Sequence, residues 1–160
     1  MDFLFGVTKQ QDGQLFGKIR AVKEGFILDE IEFKTIGDEG HHTYGKIHGN
    51  RGLAKSNIGN IIEAHFGYEA CGYMNGYQAI VWEGATEKLY YLGTDAGVGD
   101  GGIFFKGTSL IFPDEREGRP EKILIKEEIG EFDDIGNGTI NTKISVWDWS
   151  GTKLVKATNY

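Results

Sequence analysis

The 160-residue chain is 39% hydrophobic and 26% charged, the balance of a folded globular protein and not of a disordered one. Its 17 Lys and Arg against 24 Asp and Glu give a net charge of −7, and no basic cluster offsets it. Nucleic acid and anionic membrane surfaces are therefore excluded as expected partners, because both are bound through concentrated Lys and Arg. No apolar run approaches the ~18 residues of a membrane-spanning helix. Met1-Asp2-Phe3-Leu4-Phe5-Gly6 has no basic region and no long apolar stretch. No export signal is expected, and the compartment is read as cytoplasmic or virion-associated. With 25 Gly against 2 Pro, the composition points to a glycine-rich, turn-rich chain, read as one domain over residues 1–160.

In chain order, the first signals have a period of two. Leu15, Gly17, Ile19 and Ala21 alternate with Phe16, Lys18, Arg20 and Val22. Ile31, Phe33 and Thr35 alternate with Glu30, Glu32 and Lys34. Alternation of this kind puts one set on each face of a strand. Asp12-Gly13 sits between two such runs as a hairpin corner.

The next segment carries three of the four histidines, His41, His42 and His48, beside Tyr44. On a strand, His42, Tyr44, Lys46 and His48 share one face. His42 and His48 lie ~20 Å apart on an extended chain, too far to ligate one metal together. His42, Tyr44 and His48 are instead candidate acid–base groups, if a carboxylate converges on them.

Ile58, Ile61, Ile62 and His65 follow the i, i+3, i+4, i+7 spacing of an amphipathic helix. Ser56 or Asn57 can cap its start and Gly67 its end, so the spacing predicts a short helix over residues 56–66. Cys71 is the only cysteine. It excludes an internal disulfide, and with no Lys, Arg or His beside it in sequence it reads as a buried, inert thiol.

Gly97-Val98-Gly99-Asp100-Gly101-Gly102 matches the spacing of a dinucleotide-binding loop, but Ile103-Phe104-Phe105 follows and reads as strand, not helix. The glycine run is expected to be a flexible connection, with Asp95 and Asp100 on its rim. Pro113 to Pro120 is a charged surface loop. Farther on, Glu127 to Asp134 holds five acids between two strand signals. Asp133, Asp134 and Asn137 there are candidate calcium ligands, since calcium takes hard oxygens on a bendable loop. The alternative is an acidic loop bathed in solvent, and no cofactor is required. Asn137-Gly138-Thr139 has the form of a glycosylation sequon and is read as a turn.

Near the C-terminus, Ile140, Thr142, Ile144 and Val146 alternate with Asn141, Lys143, Ser145 and Trp147. The aliphatic set is the expected core face. Trp147 and Trp149 then fall on the second face, with Trp149 nearer the Ser150-Gly151 turn and the more exposed of the two.

Together these signals predict an all-β fold: an antiparallel β-sandwich or closed β-barrel with one short helix. Aromatic rings interleaved with Asn and Asp suit flat, hydroxyl-rich ligands, which stack on rings while carboxylates and amides take the hydroxyls. The expected function is a non-enzymatic, lectin-like module binding carbohydrate through Tyr73, Asn75, Tyr77, Asp95, Asp100 and Trp149. Two alternatives stand beside it: a small barrel-type enzyme using His, Tyr and Glu, and a structural or inhibitory module that binds protein. The net charge suits a protein kept apart from its copies by repulsion, although a homo-oligomer is left open.

Overall fold

The computed structural model describes residues 1–11, 14–36, 43–66, 76–100, 104–133, 135 and 137–158. Among them run eleven strands: β1 (Asp2–Gln11), β2 (Gln14–Lys23), β3 (Phe26–Ile36), β4 (Thr43–His48), β5 (Asn60–Phe66), β6 (Gly76–Glu83), β7 (Lys88–Asp100), β8 (Phe104–Ile111), β9 (Ile123–Phe132), β10 (Gly138–Trp149) and β11 (Leu154–Lys156). Every pairing is antiparallel and joins neighbours in sequence. The all-β expectation therefore holds. The barrel alternative does not, because β4 and β11 end the eight-strand order as separate, unjoined edges.

Three layers result. β1, β2 and β3 form a first sheet. The remaining strands are hydrogen-bonded in series, but β7 divides them. Its residues Lys88–Asp95 pair with β6, and Ala96–Asp100 pair with β8. A register shift between Ala79 and Ile80 marks a bulge shortly before this change of partner. Bulges bend strands, and this one precedes the corner between a middle layer (β4–β7) and a third layer (β7–β11).

The middle layer is covered on both faces. Ile62, Ala64, Ile80, Trp82 and Leu89 pack with Ile19, Ala21 and Phe33 of the first sheet. Ile61, Ala79, Val81 and Leu92 turn the other way and pack with Leu110, Phe112, Ile123 and Trp149 of the third. A strand buried on both sides cannot alternate apolar and polar, so β6 reads as the unbroken run Ala79-Ile80-Val81-Trp82. Burying each large aliphatic side chain contributes ~1.5–3 kcal/mol.

Two covered faces also explain why the helix predicted over residues 56–66 is absent. Only Ala54–Ser56 makes a short 3-10 turn, and Asn60–Phe66 is strand β5. Ile61 and Ile62 each need an apolar neighbour, and adjacent residues on a doubly covered strand obtain one on opposite faces. The helical spacing arose by coincidence, with Ile58 packing from the loop before the strand. β-Branched isoleucine and the poor helix formers Gly59 and Asn60 tilt the balance the same way.

The face assignment of β10 is inverted relative to expectation. Ile140 and Ile144 are 56% and 51% exposed, whereas Trp149 is 8% exposed. Ile123, the partner of Trp147 in the ladder, is wholly buried in the same core, so the tryptophan face is the inner one. Trp147 is half-buried and donates from Nε1 to Ser145 Oγ at 2.9 Å. Trp149 is the more buried ring, stacked edge-on with Tyr90 at 6.0 Å. Sequence parity separated the two faces correctly but could not say which one the middle layer would cover.

One of the two expected hairpin corners is present, and the other, Asp12-Gly13, lies outside the described residues. Ser150 and Gly151 close the β10–β11 hairpin, with Gly151 at φ 98° and Ser150 donating from its backbone N–H to Lys153 O at 3.0 Å. Gly97 to Asp100 is strand, not a loose connection, and strand β8 follows it. Gly101, Gly102 and Ile103 lie outside the described residues, and among the described residues on either side no helix opens. Gly17 is required for another reason: a Cβ built there would stand 2.0 Å from the Phe33 ring, which lies across the glycine from the neighbouring strand. Among the described residues no helix is long and apolar enough to cross a membrane.

Candidate functional site

β4, β5, β6 and the first part of β7 lie side by side, so their residues nearest 44, 65, 77 and 95 gather at one end of the middle sheet. Tyr44 pairs with His65, His65 with Tyr77, and Tyr77 with Asp95. Pairing across a sheet puts directly opposite side chains on the same face. Alternation adds Lys46, His48 and Glu63 to this face, which is the one turned toward the third layer. A row of polar and aromatic groups thus continues where the apolar core of Ile61, Ala79 and Val81 stops.

Glu63 is its centre. The residue is only 5% exposed, yet it bears a carboxylate. His65 Nε2 lies 2.8 Å from Oε2, and Arg51 donates from Nη1 to Oε1 at 2.9 Å. His48 Nε2 lies 3.0 Å from Oε1, at ion-pair distance but out of line for a hydrogen bond. An unpaired buried carboxylate would be costly, and these three groups offset that cost.

Arg51 comes from the loop after β4 and holds a left-handed backbone, φ 50°. Its guanidinium lies over the Phe112 ring at 4.2 Å. It also reaches Asp114 at 3.2 Å and Glu115 at 3.3 Å in the loop between β8 and β9. Burial works against its charge, but Glu115, Asp114 and Glu63 hold it protonated above the ordinary arginine range. Arg51 therefore ties the middle layer to the third.

His65 is held on both sides. Tyr44 stacks on it with ring centres 4.6 Å apart and planes within 4°, and Tyr77 lies 4.9 Å away. Tyr44 is 47% exposed, so this stack runs from solvent inward to the buried Glu63. Lys46 Nζ sits 5.6 Å over the Tyr44 ring.

Asp95 occupies the corner where β7 changes partner. Its Oδ2 accepts from the Leu110 N–H at 2.9 Å, filling a β8 backbone bond that β7 no longer makes. The Tyr77 hydroxyl also donates to it. Burial pushes the Asp95 carboxyl above the usual carboxylate range despite those two bonds. Burial, together with the nearby Asp95 charge, likewise raises the Tyr77 hydroxyl, so it stays a donor.

Of the residues singled out from sequence, Tyr44, His48, Tyr77 and Asp95 come together here. Trp149 does not: it belongs to the apolar core at the other end of the layer interface. Its ring is therefore withdrawn as a stacking surface for ligand. Asp100 is the last residue of β7, past the corner. His42, Cys71, Tyr73, Asn75 and Asp134 lie outside the described residues. Asp133 closes the β9–β10 turn. Its Oδ1 accepts from Ile135 N at 3.1 Å and Asn137 N at 2.8 Å, and its Oδ2 from Asn137 Nδ2 at 3.3 Å. Both oxygens serve the turn, and Asn137 serves it too. Among the described residues no three His, Cys, Asp or Glu are grouped to hold a metal.

Sequence reasoning missed Glu63, His65 and Arg51 as site residues. Glu63-Ala64-His65 carries the i, i+2 signal of one strand face, but the helical reading of that segment concealed it. No family model, curated protein or solved structure matches the chain.

Proposed function

We propose that the chain is a carbohydrate-binding module whose ligand meets the Tyr44–His65–Tyr77 end of the middle sheet. The observation that carries this reading is the solvent-exposed Tyr44 ring, stacked on a histidine that a buried glutamate holds in place. A ring fixed from behind is a preorganised platform, and preorganisation lowers the entropy lost on binding. Sugar C–H faces stack on such a ring. The Tyr44 hydroxyl and the Asp95 carboxyl supply polar contacts for hydroxyls.

A second reading is favoured by a separate observation. Burial raises the Asp95 carboxyl above its ordinary range, and it lies along the same face as the His65–Glu63 pair. A perturbed carboxyl beside a histidine–carboxylate pair is the kind of group found at acid–base sites. One experiment addresses both. A glycan array, followed by calorimetry on retained sugars, is expected to show binding with no cleavage product. Tyr44→Ala is expected to weaken binding by about tenfold or more. Binding unchanged in Tyr44→Ala, or an array with nothing retained, refutes the module. Product formation that is lost in Asp95→Asn establishes the enzyme instead.

A further inference from the structure

β10 presents a free edge. β11 pairs only with Trp147, Asp148 and Trp149, and Ala157 donates to Val146 O, which leaves Gly138–Ser145 without a neighbour on that side among the described residues. Residues Gly138 to Ile144 are all exposed. Three other strand edges are blunted among the described residues: β1 carries a register shift between Val7 and Lys9, β11 is three residues long, and Asp29 of β3 is tied to Leu89 N at 2.8 Å. β10 has neither proline nor bulge, and its ladder with β9 is unbroken from Gly138 to Trp147. Such an edge is a template for another strand.

The direction of its backbone groups is set by its neighbours. Val146 O points away from β9, toward Ala157. Alternation along the strand then aims the N–H and C=O of Ile140, Thr142 and Ile144 at the free side. The sequence there is nearly palindromic about Thr142: Ile140-Asn141-Thr142-Lys143-Ile144. Two copies running antiparallel with Thr142 opposite Thr142 set Ile140 against Ile144 in both directions, and each such pair exchanges two backbone bonds. On the other face Lys143 meets Asn141, so no like charges oppose. The local charges are already neutralised within the chain: Lys143 with Glu127 at 3.4 Å, and Lys126 with Glu128 at 2.9 Å. The net charge of −7 therefore does not concentrate at the seam.

The outward face of this sheet points to the same partner. The first sheet carries the ion pairs Lys18–Glu30 and Arg20–Glu30 on its outer face, beside the exposed Leu4. The third sheet instead turns Ile140, Ile144, Phe105 and Val155 outward, at 56%, 51%, 36% and 37% exposure. Self-pairing brings Ile140 and Ile144 of one copy beside Ile144 and Ile140 of the other.

We propose that the chain forms a twofold dimer by antiparallel pairing of β10 with β10 of a second copy, centred on Thr142. The test is sedimentation equilibrium of the full chain from micromolar to near-millimolar concentration. A reversible monomer–dimer equilibrium is expected. Thr142→Pro removes a backbone donor that β9 does not use, together with the exposed Thr142 hydroxyl bond to Glu128, and is expected to leave monomer only, with the melting temperature lowered by no more than a few degrees. The register is tested by charge exchange. Ile140→Lys and Ile144→Glu should each weaken the dimer about tenfold or more, and the double variant should restore it, because the register sets the new lysine opposite the new glutamate. This pair also decides the matter if the proline variant misfolds. Wild-type protein that stays monomeric throughout overturns the proposal. So does a dimer that Thr142→Pro leaves intact, or a double variant no tighter than the single ones.

Discussion

Arg51→Met separates a structural strut from a surface ion pair. Methionine keeps much of the stem that lies along Phe112 and removes the charged fork. The guanidinium and the Glu63 carboxylate are 10% and 7% exposed, so water replaces little of what is lost. Removing one member of a buried pair typically costs ~3–5 kcal/mol, because the remaining charge is left uncompensated. Loss of the contact over Phe112 adds to this by up to ~2 kcal/mol. His65 softens the penalty by keeping its hydrogen bond to Glu63, which favours the lower figure. For a chain of this size each kcal/mol moves the melting temperature by roughly 2–4 °C. Calorimetry should therefore show a fall of roughly 6–15 °C for ~3–4 kcal/mol, little changed by added salt, since buried pairs are weakly screened. Glu63→Gln combined with Arg51→Met should lose less than the sum of the two single changes, because the orphaned charge is gone. A loss under ~1 kcal/mol for Arg51→Met, or one abolished by salt, would mean that the pair behaves as a surface ion pair and that Glu63 needs no compensation.

Two other perturbations probe the layering. Burial raises the Asp29 carboxyl, but the Leu89 N–H at 2.8 Å and Lys88 at 3.1 Å more than reverse this, leaving it below its ordinary range. A depressed carboxyl contributes stability above its unfolded value and loses it as pH falls through the folded one. Urea midpoints of the wild type should therefore drop below pH ~4, and Asp29→Asn should flatten that part of the profile; an identical profile refutes the tie. Trp149→Ala should cost ~3–5 kcal/mol and Trp147→Ala clearly less, read from urea unfolding, with the reverse order returning Trp149 to the surface.

The parts of the fold legible in the sequence are those decided by local alternation. β2, β3, β4 and β10 show their two faces because neighbouring residues differ, and the Ser150-Gly151 corner shows because glycine supplies positive φ. What was not legible depended on contacts between distant segments. β5 lies in a sheet covered on both sides, so its pattern of Ile61 and Ile62 had no period of two to display and imitated a helix. For β10, alternation distinguished aliphatic from tryptophan faces, yet the choice of core lay with β6 and β7, far away in the chain. The site suffered from the same limit. Tyr44, His48, Tyr77 and Asp95 stood out singly as residue types suited to chemistry. Their union required the registers Tyr44 to His65, His65 to Tyr77 and Tyr77 to Asp95, which no local pattern announces.

The corner in β7 links the candidate site to the proposed dimer seam. Up to Asp95 the strand belongs to the middle layer, and from Ala96 it belongs to the third. At that change the face of the middle sheet loses its apolar cover, so the groups there must be polar and paired. Asp95 does both jobs: it satisfies the Leu110 N–H left by the departing strand and accepts from Tyr77 in the polar row. The same departure creates the projecting part of the third sheet, where β7, β8, β9 and β10 continue side by side without a residue in either core cluster. β10 lies three strands from β7, about 14 Å across at the usual strand spacing. A second copy added at β10 therefore extends the sheet away from Tyr44 and Asp95, leaving both sites of a dimer open. Ligand binding and dimer formation should be independent: Thr142→Pro should leave sugar affinity per chain unchanged, and only multivalent ligands should bind the dimer more tightly.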